Sequence, residues 1–357
     1  MNLEFWKGRR TAITGHTGFK GAWLCELLKQ LQADFSGFSL PPPTKPSLFE
    51  LADIGGFVDT TYGDIRDTEA LTQYLRRVQP EIVLHMAAQS VVLDSYRDPI
   101  ESFSSNVVGT ASVLEAIRRS GVRCAVVNVT TDKVYANRGW VWGYREPDAL
   151  GGNDPYSSSK ACAELVAQSF RSSFFPLDRR SEHGVVIGSA RAGNVVGGGD
   201  WTPHQLIPET VASFGEGQPV TLRNPGATRP WQHVLDCLSG YLTLAEHLVT
   251  RPEVASGEWN FGPPDRHPPT VAQVVETLNG RWKLEQPWKP SGAHHLHEER
   301  ALSLDSSKAE ATLGWRSRLS VTQALEWVAD WYQPFQQGVA PAKLTSEQVA
   351  RYLALKS

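Results

Sequence analysis

Residues 10–31 read RTAITGHTGFKGAWLCELLKQL. An apolar run stops at a glycine, and glycines recur at three-residue spacing, Gly15, Gly18 and Gly21, before a helical pattern carries on through Leu31. Glycine at the turn permits positive φ and lets the backbone approach a ligand closely. The last glycine lets helix and strand pack. Free amides at the start of the helix then face a negative group, so the stretch predicts a strand, a tight turn and a helix built around a pyrophosphate. His16, Thr17, Phe19 and Lys20 lie between the glycines and are candidate cofactor contacts with them. For Lys20 a solvated surface position explains the residue equally well.

Downstream of this unit the texture repeats. Candidate strands fall at 34–40, 57–63, 81–87, 124–130 and 184–191, and helical patterns at 67–78, 99–120 and 156–175. Strands apolar at nearly every position imply burial on both faces, which is the mark of a parallel sheet flanked by helices. The expected fold class is therefore α/β, a doubly wound parallel sheet of the Rossmann type with a smaller C-terminal α/β substrate domain. From about residue 192 Gly, Pro and Trp become frequent, as in GNVVGGGDWTPHQLIPE and RNPGATRPWQHV. The expected division is 1–191 for the dinucleotide and 192–357 for the substrate, with some later segments returning to the first domain. Helices are expected near 205–215, 234–249 and 320–333, and the polar end, 334–357, reads as either helical or frayed.

Composition narrows the function. The chain has 357 residues, 41% hydrophobic and 20% charged, with a net charge of −3. That balance gives no field for nucleic acid or an acidic membrane surface. No stretch approaches the ~20 apolar residues of a membrane span, so no membrane partner is expected and a cytoplasmic location is. Four scattered cysteines, Cys25, Cys124, Cys162 and Cys237, show no metal-ligand spacing and read as reduced, inert thiols; no metal is expected.

Two further motifs carry chemistry. DPYSSSKACAELV places Tyr156 and Lys160 four residues apart, on one helix face. A phenol titrating near 10 is a poor base at neutral pH, and a nearby ammonium lowers that value. Tyr156 could then take a proton from a substrate hydroxyl while a hydride leaves for a nicotinamide. VNVTTDKVYAN (127–137) ends a β-run in two threonines and sets Asp132 beside Lys133. Thr131 stands 25 positions before Tyr156.

The GxxGxxG spacing and the set Thr131, Tyr156, Lys160 resemble the extended short-chain dehydrogenase/reductase family, whose members mostly act on nucleotide sugars. The resemblance implies NAD, although GFSLPPPTKPS (37–47), at the end of the second strand, has no acid for the ribose hydroxyls and no arginine for a 2′-phosphate. Asp64 and Ile65 in YGDIRD, Ala87, Ala88 and Gln89 in HMAAQS, and Asn106 are further expected cofactor contacts; for Asp64 a helix cap is an equal reading. Epimerases of the family usually carry small or apolar residues after the Ser/Thr. An acid and a base there suit a 4,6-dehydratase, which must remove a C5 proton beside a transient C4 ketone and protonate the departing C6 hydroxyl. Lys133 could serve as a neutral base or a charged stabiliser. Asp-Lys, in place of Asp-Glu, resembles the members that act on CDP-glucose. CDP-glucose is thus the implied substrate, a deoxysugar precursor the implied product, and a homodimer or higher homo-oligomer the implied assembly. By the same resemblance Ser90, Asn194, Arg223, Arg229 and Arg300 are expected to hold the nucleotide sugar, the arginines by bidentate contact with phosphate or nucleoside. An epimerase, or a dehydratase using another nucleotide, is the alternative. The tryptophans read as packing.

Overall fold

The computed structural model describes residues 2–264, 268–291 and 302–355. Seven strands form one sheet: β1 Arg10–Thr14, β2 Asp34–Ser39, β3 Asp59–Tyr62, β4 Ile82–His85, β5 Ala125–Val129, β6 Val186–Ala192 and β7 Gly257–Phe261. Their spatial order is β7-β6-β5-β4-β1-β2-β3, and every pairing is parallel. The chain reverses its direction of winding between β1 and β4, which opens a crevice at the carboxyl ends of those strands.

Alternate side chains of each strand serve opposite faces. Ile13, Leu84 and Val127 join a core completed by α1 (Phe19–Gln30) and α6 (Val234–Thr250). Ala12, Val83 and Val126 point the other way, into a core with α2 (Thr68–Val78), α3 (Gly109–Ser120) and α4 (Pro155–Ser173). Both faces are covered, so β4, β5 and β6 are buried along their whole length, including the polar His85, Asn128, Ser189 and Arg191 near their carboxyl ends.

The expected strands and helices of the first 191 residues are all present, with ends shifted by no more than two residues. The stretch 99–120 is not one regular helix. A turn of π-helix at Ser104–Val108 separates Pro99–Phe103 from α3 and turns Asn106 inward.

The later half gives two segments back to the sheet. Helix α6 packs on β5 and β6, and β7 pairs with β6 as the seventh strand. GEWNF was not legible as a strand because it is five residues long and follows no clear period. The remainder is a small second layer: α5 (Leu206–Gly215), α7 (Val271–Trp282) and the short parallel pairs 195–196 with 232–233 and 220–222 with 288–290. The polar C-terminal stretch is helical. Helix α8 (Val321–Gln336) is followed by α9 (Pro341–Leu353), which buries Leu344, Val349 and Tyr352 and packs on α1.

Candidate active site

The crevice is a cavity of about 710 Å³, walled by the loops that leave β1 to β6 and by α5 and the 220–224 strand end. Gly15, Thr17, Gly18, Phe19, Lys20 and Gly21 line one end. Gly15 has φ +79°, and a Cβ there would come within 2.7 Å of Ala87; a Cβ at Gly21 would come within 2.4 Å of the Gly15 carbonyl oxygen. The glycines are thus demanded by close packing of loop on strand and helix on loop. Gly18 caps α1 in extended conformation, leaving the amides of the first turn directed at the cavity. This cradle fits a dinucleotide pyrophosphate.

At the end of β2 no charge replaces the usual acid. The Thr17 hydroxyl lies 2.8 Å from the Ser39 hydroxyl and donates to the Leu40 carbonyl at 2.9 Å. Asp64 and Ile65 line the same region. Asp64 does not cap a helix: it accepts the guanidinium of Arg66, whose hydrogen bonds hold the carboxyl below its ordinary value, and Asp67 caps α2 instead. Ala87, Ala88, Gln89 and Ser90 follow β4 along the cavity floor.

Two expected cofactor contacts are turned away. His16 is wholly buried beneath β2, with Nε2 3.0 Å from the Thr60 hydroxyl and its ring against Gly37, where even a Cβ would overlap it. Burial without a counter-charge lowers its pKa to about 4. Asn106 sits behind the cavity and clamps the β4 loop, accepting from the Gln89 amide at 2.9 Å and donating to the Gln89 carbonyl at 3.0 Å. Its amide also donates to the Ser159 hydroxyl on α4, so it orients rather than lines the site.

The chemical end is formed where β5 meets the N-terminus of α4. Asp154 caps α4 through the Ser157 amide and Pro155 takes the first helical position, which presents Tyr156 at the mouth. Thr131, Lys133 and Tyr156 line the cavity together, with the Thr131 hydroxyl close enough to the Tyr156 phenol to act on its titration. Burial pushes that phenol above its ordinary value; the Thr131 bond opposes this and the charges of Asp132 and Asp154 add to it. The Lys160 ammonium is turned to the end of β5, where it donates to the Val129 carbonyl at 2.9 Å. Burial first, then the charge of Lys20, lowers Lys160 to about 8 against the pull of Glu164.

Asp132 and Lys133 do not share one orientation. Lys133 reaches the cavity wall, whereas Asp132 is wholly buried behind it. Asp132 Oδ1 accepts from the Thr131 hydroxyl at 2.9 Å and lies 3.5 Å from Lys133 Nζ; Oδ2 is buried with no partner. A buried carboxylate oxygen without a partner is costly in a merely structural ion pair.

At the far end Asn194, Arg223 and Arg229 line the cavity. Asn194 Oδ1 is buried and unpartnered, Arg223 donates to the His204 carbonyl at 3.5 Å, and Arg229 to the Thr228 carbonyl at 2.8 Å. Arg300 lies outside the described residues. Among the described residues no group of three or more His, Cys, Asp or Glu side chains could hold a metal, and no helix is long and apolar enough to cross a membrane.

Two features escaped the sequence reading. Beneath the catalytic turn Glu164 accepts from the Thr130 hydroxyl at 2.5 Å and from Arg191 at 3.0 and 3.2 Å. Arg191 also donates to the Tyr135 phenol at 2.9 Å, which donates in turn to Asn260 on β7 at 2.7 Å. The available signal was a lone arginine in an otherwise apolar strand, and an acid one turn beyond Lys160. The second feature is Tyr241 on α6, wholly buried under Lys20, which nothing in the sequence distinguishes from core.

This geometry has counterparts. The family model described as the NAD dependent epimerase/dehydratase family matches residues 11–262. The chain is 46% identical over 354 residues, 99% of each chain, to a CDP-glucose 4,6-dehydratase of Salmonella typhimurium. To a dTDP-glucose 4,6-dehydratase of Xanthomonas campestris it is 27% identical over 361 residues, 94% of this chain and 97% of that one. Among solved structures, dTDP-glucose 4,6-dehydratase from Bacillus anthracis in complex with NAD superposes with TM-score 0.76 at 22% identity, covering 94% of this chain and 99% of that one. UDP-glucose 4-epimerase from Thermus thermophilus in complex with NAD gives 0.75 at 23%, covering 91% and 99%. With the glycine cradle and the Thr-Tyr-Lys set carried on the same seven-stranded sheet, the chain belongs to the NAD-dependent epimerase/dehydratase family.

Proposed function

We propose that the protein is a CDP-glucose 4,6-dehydratase, which converts the nucleotide sugar to its 4-keto-6-deoxy form. The observation that carries this reading is the acid and base following Thr131, one at the cavity wall and one with an unpartnered oxygen behind it. The Salmonella relative, named for that reaction, supports the choice of CDP-glucose.

In this reading Tyr156, oriented by Thr131, takes the proton of the C4 hydroxyl. The raised pKa of the phenol means that it begins protonated, so its activation depends on the charges that substrate and cofactor bring. The cradle of Gly15, Gly18 and Gly21 would hold NAD, which would supply the acceptor for the C4 hydride and its return at C6. Lys133, at the wall, removes the C5 proton made acidic by the C4 ketone. Asp132, when protonated, supplies the proton to the C6 oxygen, relayed by the Thr131 hydroxyl once its present bond to Oδ1 reverses direction. The C5–H and C6–O bonds break, the C5–C6 double bond forms and water leaves; as hydride returns at C6, Lys133 gives the proton back to C5. Asn194, Arg223 and Arg229 hold the diphosphate and nucleoside, Ser90 the sugar, and Arg300 belongs to the same set.

The assignment of residues 1–191 to the cofactor and 192–357 to the nucleotide sugar is part of this proposal, with α6 and β7 returned to the first unit. So is a homodimer through the helices of the first unit. Ile100 on Pro99–Phe103, Val108 on Ser104–Val108, Leu165 on α4 and Phe174 just beyond α4 are 76%, 53%, 53% and 47% exposed, apolar side chains that such a contact would cover. Four unpaired cysteines fit a cytoplasmic location.

Incubation with CDP-glucose and no added reductant tests the reading. A product lighter by one water supports it, and an isomer of unchanged mass would instead identify an epimerase. Turnover of dTDP-, UDP- or GDP-glucose in preference to CDP-glucose would overturn the choice of nucleotide. Tyr156→Phe should remove the activity.

A further inference from the structure

We propose that Glu209 selects the base of the nucleotide sugar, its carboxylate accepting from the exocyclic amine of cytosine and rejecting the keto oxygen that uracil and thymine carry there. The inference deepens the CDP-glucose reading and rests on it. The glycine cradle occupies one end of the cleft, and Tyr156 stands beyond it. A nucleotide sugar whose hexose meets Tyr156 must therefore extend its nucleoside away from the cradle. That direction leads past Asn194 and Arg229 to a wall made by the first turn of α5 and the end of the 220–222 strand, where His204, Glu209 and Arg223 line the cavity. Arg223 donates to the His204 carbonyl at 3.5 Å, and His204 Nδ1 lies 3.8 Å from Glu209 Oε1. A guanidinium and a carboxylate thus stand on either side of one residue.

Five carboxylates among the described residues line the cleft, and four are committed. Asp64 is held by Arg66, and Asp94 accepts from Arg97 at 3.1 Å. Asp154 caps α4, and Asp200 accepts from the Thr202 amide at 2.9 Å. The Glu209 carboxylate accepts no hydrogen bond from any described residue, since the 3.8 Å contact with His204 is too long for one. Its side chain is 45% exposed at the cavity wall, so its acceptor capacity is open to a ligand.

A carboxylate only accepts and a guanidinium only donates. Cytosine offers an amine to the first and a ring nitrogen and keto oxygen to the second. Uracil and thymine replace the amine with an oxygen, which would set two acceptors against each other and leave both unpaired. The competing role is structural: an acid in the first turn of α5 stabilises the helix through its dipole. That role is blind to the base.

The test uses nucleoside diphosphates without the sugar, so it requires no turnover. Dissociation constants for CDP, UDP and dTDP are measured by isothermal titration calorimetry on the NAD-loaded full-length protein. Wild type should prefer CDP to UDP by at least about tenfold. Glu209→Gln and Glu209→Leu should each shrink that preference about tenfold, the size of one hydrogen bond to a charged group, by weakening CDP and strengthening UDP. A preference unchanged within about twofold in both variants, with only the unfolding midpoint lowered, overturns the inference and leaves the dehydratase reading standing. A wild type that holds UDP or dTDP as tightly as CDP overturns the inference and the choice of nucleotide together.

Discussion

The buried pair Arg191–Glu164 offers the sharpest quantitative test of how the catalytic turn is held. Both side chains are 2% exposed. Arg191→Met would leave the Glu164 carboxylate in the interior with only the Thr130 hydroxyl as donor, since its two guanidinium bonds disappear. An uncompensated buried charge of this kind costs about 3–5 kcal/mol. Replacing both residues by methionine removes the charges together with their bonds to Thr130, Tyr135 and the Glu146 carbonyl, and apolar replacement of a whole buried pair is often neutral or stabilising, because neither charge is left in the interior. The double variant should therefore be no less stable than Arg191→Met, with a coupling of about 2 kcal/mol or more. Urea unfolding followed by circular dichroism, at one fixed excess of NAD, measures it. Because Thr130 precedes Thr131, the single variant should also lose about 100-fold in kcat, as a 1 Å misplacement can, with KM for the nucleotide sugar little changed. A loss below about 1 kcal/mol for Arg191→Met, or strictly additive effects, would refute the reasoning.

Three other outcomes are expected. Lys133→Ala should permit C4 oxidation but stall elimination, so absorbance of reduced cofactor should build up on adding CDP-glucose; normal product yield would count against Lys133 as the C5 base. Gly21→Ala should purify with much less bound NAD, because its Cβ would meet the Gly15 oxygen at 2.4 Å and displace the loop; the cofactor released on denaturation can be counted. Stability should fall as pH drops below about 6.5. His16, His85 and His233 are buried neutral, with pKa values lowered by burial to about 4, about 3 and about 3. A depressed folded value means that only the unfolded chain takes up these protons, so the stability is complete above the unfolded value of 6.5 and is lost toward the folded values, about 2 kcal/mol per histidine by pH 5. A stability flat between pH 7 and pH 5 would show that the rings are accessible.

The first half of the fold was legible because local rules and tertiary context agree there. Each strand of the first 191 residues is apolar for most of its length or bounded by turn residues, and two of the helices, α2 and α4, open on caps the eye can find, Asp67 and Asp154. The parallel order follows from alternation of strand and helix with short connections. β7 was not legible, since five residues gain a strand's stability only from pairing with β6. Nor was α9, whose moment is decided by burial of Leu344, Val349 and Tyr352.

The amino-acid sequence alone determined which residue types build the cleft: glycines where a Cβ cannot fit, Tyr156 and Lys160 on one helical face, and an acid and base after Thr131. Spacing along a helix or around a tight turn is local geometry, and local geometry is written in neighbouring residues. Tertiary structure alone decided orientation. It buried His16 under Gly37, drew the Lys160 ammonium to Val129, hid Asp132 behind Lys133 and brought Lys20 onto Tyr241, 221 residues away. Those outcomes depend on how far each charge is removed from water and on which distant groups share its wall, and neither quantity exists until the sheet is closed over by its helices.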